Sequence, residues 1–124
     1  MYSIEADPAN AAIAKKMVAV AGLSSVVTII EGKAGDVIPK LKSEYHVTHV
    51  DFCFVDHWKE FYLQDVQLLE GSELLRPGSR VVADNILYPG TLLLVCMLCD
   101  SLSFVYFTDR RPRVSEVHAG KSLV

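Results

Sequence analysis

The sequence predicts an α/β fold in which parallel strands alternate with helices in a Rossmann-like, three-layer arrangement. Strand-like runs of β-branched and aromatic residues alternate with segments whose apolar residues recur at helical spacing. Two of the strand-like runs stop on a carboxylate, at Asp56 and at Asp84. A repeated β-α-β order favours a parallel sheet with right-handed crossovers.

Each element has a local signal. Asp7 followed by Pro8 is a typical helix start, because it supplies an N-cap and a proline at the first helical position. Gly22 is the expected end of that helix. The predicted elements are strand 2–5, helix 11–21, strand 26–30, helix 35–41, strand 49–55, helix 60–75, strand 80–83, helix 91–101 and strand 103–107.

The apolar residues of the first three helices define candidate core faces. They are Ala11, Ile13, Ala14, Met17, Val18 and Ala21 in the first helix, Val37, Ile38 and Leu41 in the second, and Phe61, Leu63, Val66, Leu68, Leu69 and Leu74 in the third.

Composition excludes several classes of protein. The chain has 124 residues, of which 51% are hydrophobic and 22% charged, which is typical of one globular domain. A net charge of −3 gives no basis for nucleic-acid binding. The longest apolar run, 92–98, is too short to span a bilayer. No signal peptide is recognised before Tyr2, and the oligomeric state cannot be derived from these features.

The cysteines predict free thiols. There are three of them, an odd number without the spacing of a disulfide framework, which indicates a reducing compartment and hence a cytoplasmic protein. Cys96 and Cys99 have C-x-x-C spacing inside an apolar run, so two buried thiols are expected there in preference to a zinc or redox site.

Polar residues at the ends of two strands predict a metal site. Asp56 comes directly after one buried strand, while Asp84 and Asn85 come after the next. In an open parallel sheet, ligands bind beyond the carboxyl ends of the strands, so these three oxygen donors are expected in one crevice. Such donors suit Mg²⁺. Lys59 is placed nearby as a candidate proton acceptor.

Glu5 has two interpretations. An acidic residue at the end of a first strand is suited to accept hydrogen bonds from a ribose diol. An acidic residue before a helix also suits the helix dipole, although Asp7 already serves that purpose. Both interpretations remain open from the residues alone. The turn residues around Asp84, Asn85, Pro89 and Gly90 are likewise compatible with plain turn chemistry.

Several motifs together resemble those of the catechol O-methyltransferases, which are S-adenosylmethionine-dependent enzymes. The matching segments are YSIEADP at 2–8, GKAGDVIPKL at 32–41, VDHWK at 55–59, YL at 62–63, LLE at 68–70 and ADNILYPG at 83–90. The resemblance implies methyl transfer from S-adenosylmethionine to a catechol hydroxyl with the help of Mg²⁺, as in catecholamine metabolism.

The resemblance also implies residue roles. The metal ligands are Asp56, Asp84 and Asn85, and Lys59 is the general base acting on the catechol hydroxyl. Substrate contacts are implied for Lys59, Asn85, Trp58 and Pro89, and cofactor contacts for Glu5, His57 and Trp58.

The same resemblance predicts a single, partial methyltransferase domain over 1–124, family-like over 2–90, with a divergent tail over 91–124. The family's first, central strand and its glycine-rich cofactor loop are expected upstream of the segment that matches Tyr2. The usual C-terminal hairpin, with its acidic catechol contact, is not recognised, although Glu116 is nearby. Two alternatives therefore stay open: a truncated, non-catalytic relative that cannot bind cofactor alone, and a caffeoyl-CoA-type O-methyltransferase.

Overall fold

The computed structural model describes residues 1–84 and 105–108, and every strand pairing within them is parallel. The chain divides into two compact units, Met1–His46 and Val47–Val124. The elements are β1 (Tyr2–Glu5), α1 (Pro8–Val20), β2 (Thr28–Glu31), α2 (Ala34–Val37), β3 (Phe52–Val55), α3 (Tyr62–Gly71), β4 (Arg80–Asp84) and β5 (Val105–Thr108), with short 3-10 helices at Ile38–Lys40 and Lys59–Phe61.

The first unit contains strands β1 and β2 with α1 between them. The two strands pair in parallel with Tyr2 opposite Thr28 and Glu5 opposite Glu31. Helix α1 begins as expected, since the Asp7 carboxylate accepts hydrogen bonds from the N–H groups of Ala9 and Asn10, which are otherwise unpaired in a helix. The predicted helix start is confirmed.

The end of α1 is also the predicted one. Gly22 lies just after the last turn with a φ of +71°, a left-handed conformation that glycine adopts without steric cost. The predicted core face of this helix is largely wrong, however. Ala11 is buried, but Ile13 and Met17 are 56% and 67% exposed. Helical spacing marks an apolar face, whereas burial requires another element against that face.

The turn after β2 is closely packed. Gly32 has a φ of +150°, and a Cβ at this position would lie 3.0 Å from a methyl group of Val37. Its N–H donates to the carbonyl of Glu5, which ties the turn to the end of β1. The predicted core residues beyond it, Val37, Ile38 and Leu41, are all buried, so this part of the prediction is confirmed.

The second unit contains a three-stranded sheet in the order β3-β4-β5. Phe52 pairs with Arg80 and Val55 pairs with Ala83, so β3 and β4 run side by side in register. Helix α3 packs on this sheet. The resulting core consists of Val55, Tyr62, Val66, Val81 and Ala83.

Helix α3 is shorter than the predicted 60–75 helix. Of the residues predicted in its core, Val66 and Leu69 are buried and Phe61 is not. A 3-10 turn at Lys59–Phe61 precedes it, and its three residues per turn instead of 3.6 shift the phase of the helical turns after it. Phe61, predicted in the core, is therefore 45% exposed, while Tyr62 is buried. Leu74 is buried as predicted.

A polar network fixes the start of β3. The Arg76 guanidinium donates to the Asp51 carboxylate at 2.6 Å, and Nε2 of His49 lies 3.3 Å from the same carboxylate. The hydrogen bond from Arg76 is the main reason that the pKa of Asp51 lies below its ordinary value, with the charges of Arg76 and His49 adding to it and burial opposing it. The hydroxyl of Ser79 donates to the carbonyl of Val50 at 2.6 Å.

This network predicts a contribution to acid stability. Because the folded state lowers the pKa of Asp51, the contribution is complete above the unfolded-state pKa of about 4 and disappears as the pH falls through the lower, folded-state value. Replacing Arg76 with glutamine should therefore lower the thermal unfolding midpoint at neutral pH. The midpoint of this variant should also fall less steeply as the pH is lowered into the acid range. Arg80→Gln, which removes an exposed arginine four residues away, is the matched control. Equal acid profiles for both variants would contradict the assignment.

The parallel pairings agree with a Rossmann-like α/β fold, although they form two described sheets, β1-β2 and β3-β4-β5. One continuous three-layer sheet, and the missing central strand and hairpin, stay predictions. The predicted helix 91–101 lies outside the described residues, and so do Cys96 and Cys99, which were predicted to be buried thiols. Cys53 is a free cysteine, and burial raises the pKa of its thiol to about 11.

Candidate functional site

The structure brings Asp56 and Asp84 to the same edge of the sheet. Asp56 comes directly after Val55 and Asp84 directly after Ala83, and Val55 and Ala83 are partners in the parallel β3–β4 pairing. Neighbouring strands lie about 4.8 Å apart, so the two aspartates lie side by side at the carboxyl ends of β3 and β4. Their position at the carboxyl ends is where an open parallel sheet binds ligands.

A buried tyrosine lies beside both carboxylates. Tyr62 is 1% exposed, and its hydroxyl donates a hydrogen bond to the backbone carbonyl of Asp84 at 3.2 Å. Burial, and then the negative charges of Asp56 and Asp84, raise the pKa of Tyr62 to about 12. The phenol is therefore a neutral hydrogen-bond donor over the ordinary pH range, and both carboxylates are close enough to act on it.

A histidine–aspartate pair adjoins the tyrosine. Nε2 of His57 lies 2.8 Å from Oδ2 of Asp65, which is the one buried charged side chain in the described part of the chain. At this distance the carboxylate accepts a hydrogen bond when Nε2 of His57 carries the proton. The imidazole also packs against the ring of Tyr62, with centroids 4.9 Å apart.

Tyr62 and Asp65 were missed as site residues in the sequence. One signal was available, since Tyr62, Asp65, Val66 and Leu69 have the i, i+3, i+4, i+7 spacing of one buried helix face. An aspartate on such a face requires a partner, because an unpaired buried charge is very costly. The sequence does not say which residue the partner is.

Trp58 and Lys59 lie where the chain leaves β3. Trp58 has extended backbone angles and is 74% exposed, and Lys59 is the first residue of the short 3-10 helix. Lys59 is only partly exposed, within three residues of Asp56. The exposed indole of Trp58 is available for contact with a flat ligand, as its predicted role requires.

Glu5 lies in the first unit, at the end of β1. Its Oε1 accepts a hydrogen bond from the N–H of Asp7 at 2.8 Å, while the Asp7 carboxylate caps α1. The carboxylate of Glu5 therefore takes part in the strand-to-helix turn, and the ribose contact stays a prediction.

Two predicted site residues, Asn85 and Pro89, lie outside the described residues, as does Glu116. Within residues 1–84, no group of three or more His, Cys, Asp or Glu side chains is placed to hold a metal ion. The predicted ligand set has only two such side chains, Asp56 and Asp84, and its third member is the amide of Asn85. The metal site therefore stays a prediction.

Comparison with known proteins gives the family. The sequence model of the O-methyltransferase family matches residues 1–97. The chain belongs to the O-methyltransferase family. Catechol O-methyltransferase of Bos taurus is 48% identical over 90 residues, covering 73% of this chain and 33% of that protein. The enzyme of Sus scrofa is also 48% identical over 90 residues, covering 73% of this chain and 48% of that protein.

A third relative changes one expectation. Transmembrane O-methyltransferase of Homo sapiens is 40% identical over 91 residues, covering 73% of this chain and 31% of that protein. The expectation of a cytoplasmic protein is therefore wrong as a deduction from this sequence, because relatives named as transmembrane proteins are 40% identical to it over 91 residues. Among the helices of the described residues, none is long and apolar enough to cross a membrane.

This O-methyltransferase chain spans about a third to a half of the length of these curated relatives. The family match, to residue 97, extends slightly beyond the 2–90 segment in which the motifs are recognised. The predicted division into a family-like part and a divergent tail, and the single partial domain, stay predictions.

Proposed function

We propose that this chain carries the metal ligands and the general base of a catechol O-methyltransferase, which moves a methyl group from S-adenosylmethionine to a catechol hydroxyl. The observation that carries the proposal is the side-by-side exit of Asp56 and Asp84 from paired parallel strands, in a chain 48% identical to bovine catechol O-methyltransferase over 90 residues.

The donor chemistry at this edge fits a hard divalent cation. Asp56 and Asp84 supply two carboxylates, and Asn85 comes directly after Asp84 with an amide oxygen. Mg²⁺ prefers oxygen ligands at about 2.1 Å and keeps several positions for water or substrate. When bound, the cation would supply Lewis acidity toward the catechol, and S-adenosylmethionine would supply the methyl group.

The chain's own residues then position the substrate and move one proton. Asp56, Asp84 and Asn85 hold the cation, and the Lys59 amine takes the proton from the reacting hydroxyl. The exposed ring of Trp58 and the side chain of Pro89 contact the flat catechol ring. Glu5 holds the cofactor ribose, and His57 lines the cofactor side. Such a transfer depends mainly on placement, and a displacement of about 1 Å costs on the order of a hundredfold in rate.

The names of the relatives favour the catechol reaction over the caffeoyl-CoA alternative. The non-catalytic alternative stays a prediction. Within the described residues, no strand pairs with the free edge of β3, where a further strand would complete the sheet.

An activity assay tests the proposed catechol reaction. We expect the protein from the complete reading frame containing this chain to methylate a catechol when Mg²⁺ is present, and not after chelation. A phenol with one hydroxyl is the matched control and should not react, since it cannot span the cation with two oxygens. Residues 1–124 alone should bind S-adenosylmethionine weakly in calorimetric titration and show no turnover. Metal-independent methylation of both substrates would contradict the proposal.

A further inference from the structure

One face of helix α3 contacts both segments that carry the proposed metal ligands. Tyr62 is the first residue of the helix, and Asp65 lies three positions later, so the two side chains are neighbours on the same face. Tyr62 reaches the end of β4, and Asp65 reaches His57, the residue after Asp56. A single rigid element therefore holds the ends of two adjacent strands.

The hydroxyl of Tyr62 donates its hydrogen bond to the backbone at the end of β4, where a proposed metal ligand lies. Its acceptor is the carbonyl oxygen of Asp84, which belongs to the planar peptide unit joining Asp84 to Asn85. Fixing that oxygen fixes the orientation of the whole plane. The end of β4, which carries Asp84, is thereby held against α3.

The contacts of His57 hold the segment that follows the neighbouring strand, β3. Its imidazole is held on two sides, by the Asp65 carboxylate at 2.8 Å and by the Tyr62 ring at a centroid distance of 4.9 Å. Because His57 is bonded through the backbone to Asp56, the segment after β3 cannot rotate without breaking the contact between His57 and the buried Asp65.

We propose that Tyr62, supported by the His57–Asp65 pair, is a positioning residue that holds Asp56 and Asp84 in the geometry of a cation site. The inference rests on the proposed function, since it concerns the same site. The hydroxyl of Tyr62 does not ligate the metal, and it acts through the backbone of Asp84.

The test uses Tyr62→Phe, which removes one oxygen and keeps the buried ring. Mn²⁺ serves as the probe for the cation, and its affinity for the 124-residue chain is measured by calorimetric titration, with Asp56→Ala defining loss of the site. Mutation of groups that orient metal ligands typically weakens binding 10- to 100-fold, so we expect a rise of about tenfold in the dissociation constant. Tyr2→Phe is the matched control, because that hydroxyl also donates to a backbone carbonyl, at Tyr45 and 3.1 Å.

Two variants of Asp65 test the second half of the inference. Asp65→Asn keeps an oxygen that accepts the proton on Nε2 of His57, so it should retain more of the Mn²⁺ affinity than Asp65→Leu. A merely structural role of Asp65 would lower the unfolding midpoint of both variants without this difference in affinity. Equal loss of affinity in the two variants would remove the pair from the proposal.

A metal-free measurement separates failure of the inference from failure of the function. Amide hydrogen exchange at His57 and Asp84 should be faster in Tyr62→Phe than in the unmodified chain, and unchanged in Tyr2→Phe. Unmodified chain that binds no Mn²⁺ would overturn the metal part of the proposed function, whatever the exchange rates. Binding that Asp56→Ala abolishes and Tyr62→Phe leaves intact, with unchanged exchange, would overturn the positioning role alone.

Discussion

Replacing Asp56 with alanine is expected to abolish Mg²⁺-dependent methylation of a catechol by the whole protein. The carboxylate leaves the sheet next to Asp84, so its loss removes one of two adjacent anionic donors. Lewis-acid assistance is worth several kcal/mol of transition-state stabilisation, and ~4 kcal/mol corresponds to a rate loss of about a thousandfold. The measurement is initial rate against Mg²⁺ concentration.

The matched control is Asp51→Ala. Asp51 lies directly before strand β3 just as Asp56 lies directly after it, so both changes remove a carboxylate from an end of the same strand. Asp51 is bound to Arg76, and its loss should lower the unfolding midpoint at neutral pH, with the difference disappearing in acid, while leaving the rate at neutral pH intact. Full activity in Asp56→Ala would refute its assignment as a ligand.

Replacing Lys59 with methionine should lower kcat by about 10²- to 10⁴-fold, which is the usual contribution of a positioned acid or base. The methionine side chain keeps most of the length of lysine and lacks the amine, so the change removes the proton acceptor with little loss of packing. Binding of S-adenosylmethionine, measured by calorimetry, should change little, because the amine acts on the hydroxyl proton.

Lys40→Met is the control for this prediction. Lys40 is the exposed last residue of the other short 3-10 helix, and Lys59 is the first residue of its own. Both variants lose one positive charge in the same local structure. If both proteins show the same kcat, the lysine at 59 has no part in proton transfer.

The sequence was informative wherever the signal is local. Asp7 and Pro8 marked the start of α1 because capping involves only the next three residues. Strand ends at Glu5 and near Asp84 were recognised from short apolar runs that stop on a charge. Core positions Val37, Ile38 and Leu41 were correct as well, since the turn that buries them lies close to them in the chain.

Predictions failed where burial depends on distant elements. Ile13 and Met17 have the spacing of a core face but are exposed. Phe61 was predicted in the core as one of the apolar residues of the 60–75 helix, whereas it lies in the 3-10 turn before α3 and is exposed, and Tyr62 beside it is buried. A short 3-10 turn changes which of two neighbouring side chains faces the core, and a periodic pattern alone does not reveal such a turn.

The sequence by itself determined the order of strands and helices and the exit of a carboxylate from each of two strands, and it resembles the O-methyltransferase family strongly enough to name candidate ligands and a base. Only the tertiary structure decided the register that makes Asp56 and Asp84 neighbours, and the contact of Tyr62 with a carbonyl 22 residues away. The pairing of His57 with Asp65 is likewise a tertiary result. Hydrogen bonds between residues far apart in the chain leave no periodic pattern, because they depend on how helix and sheet pack together.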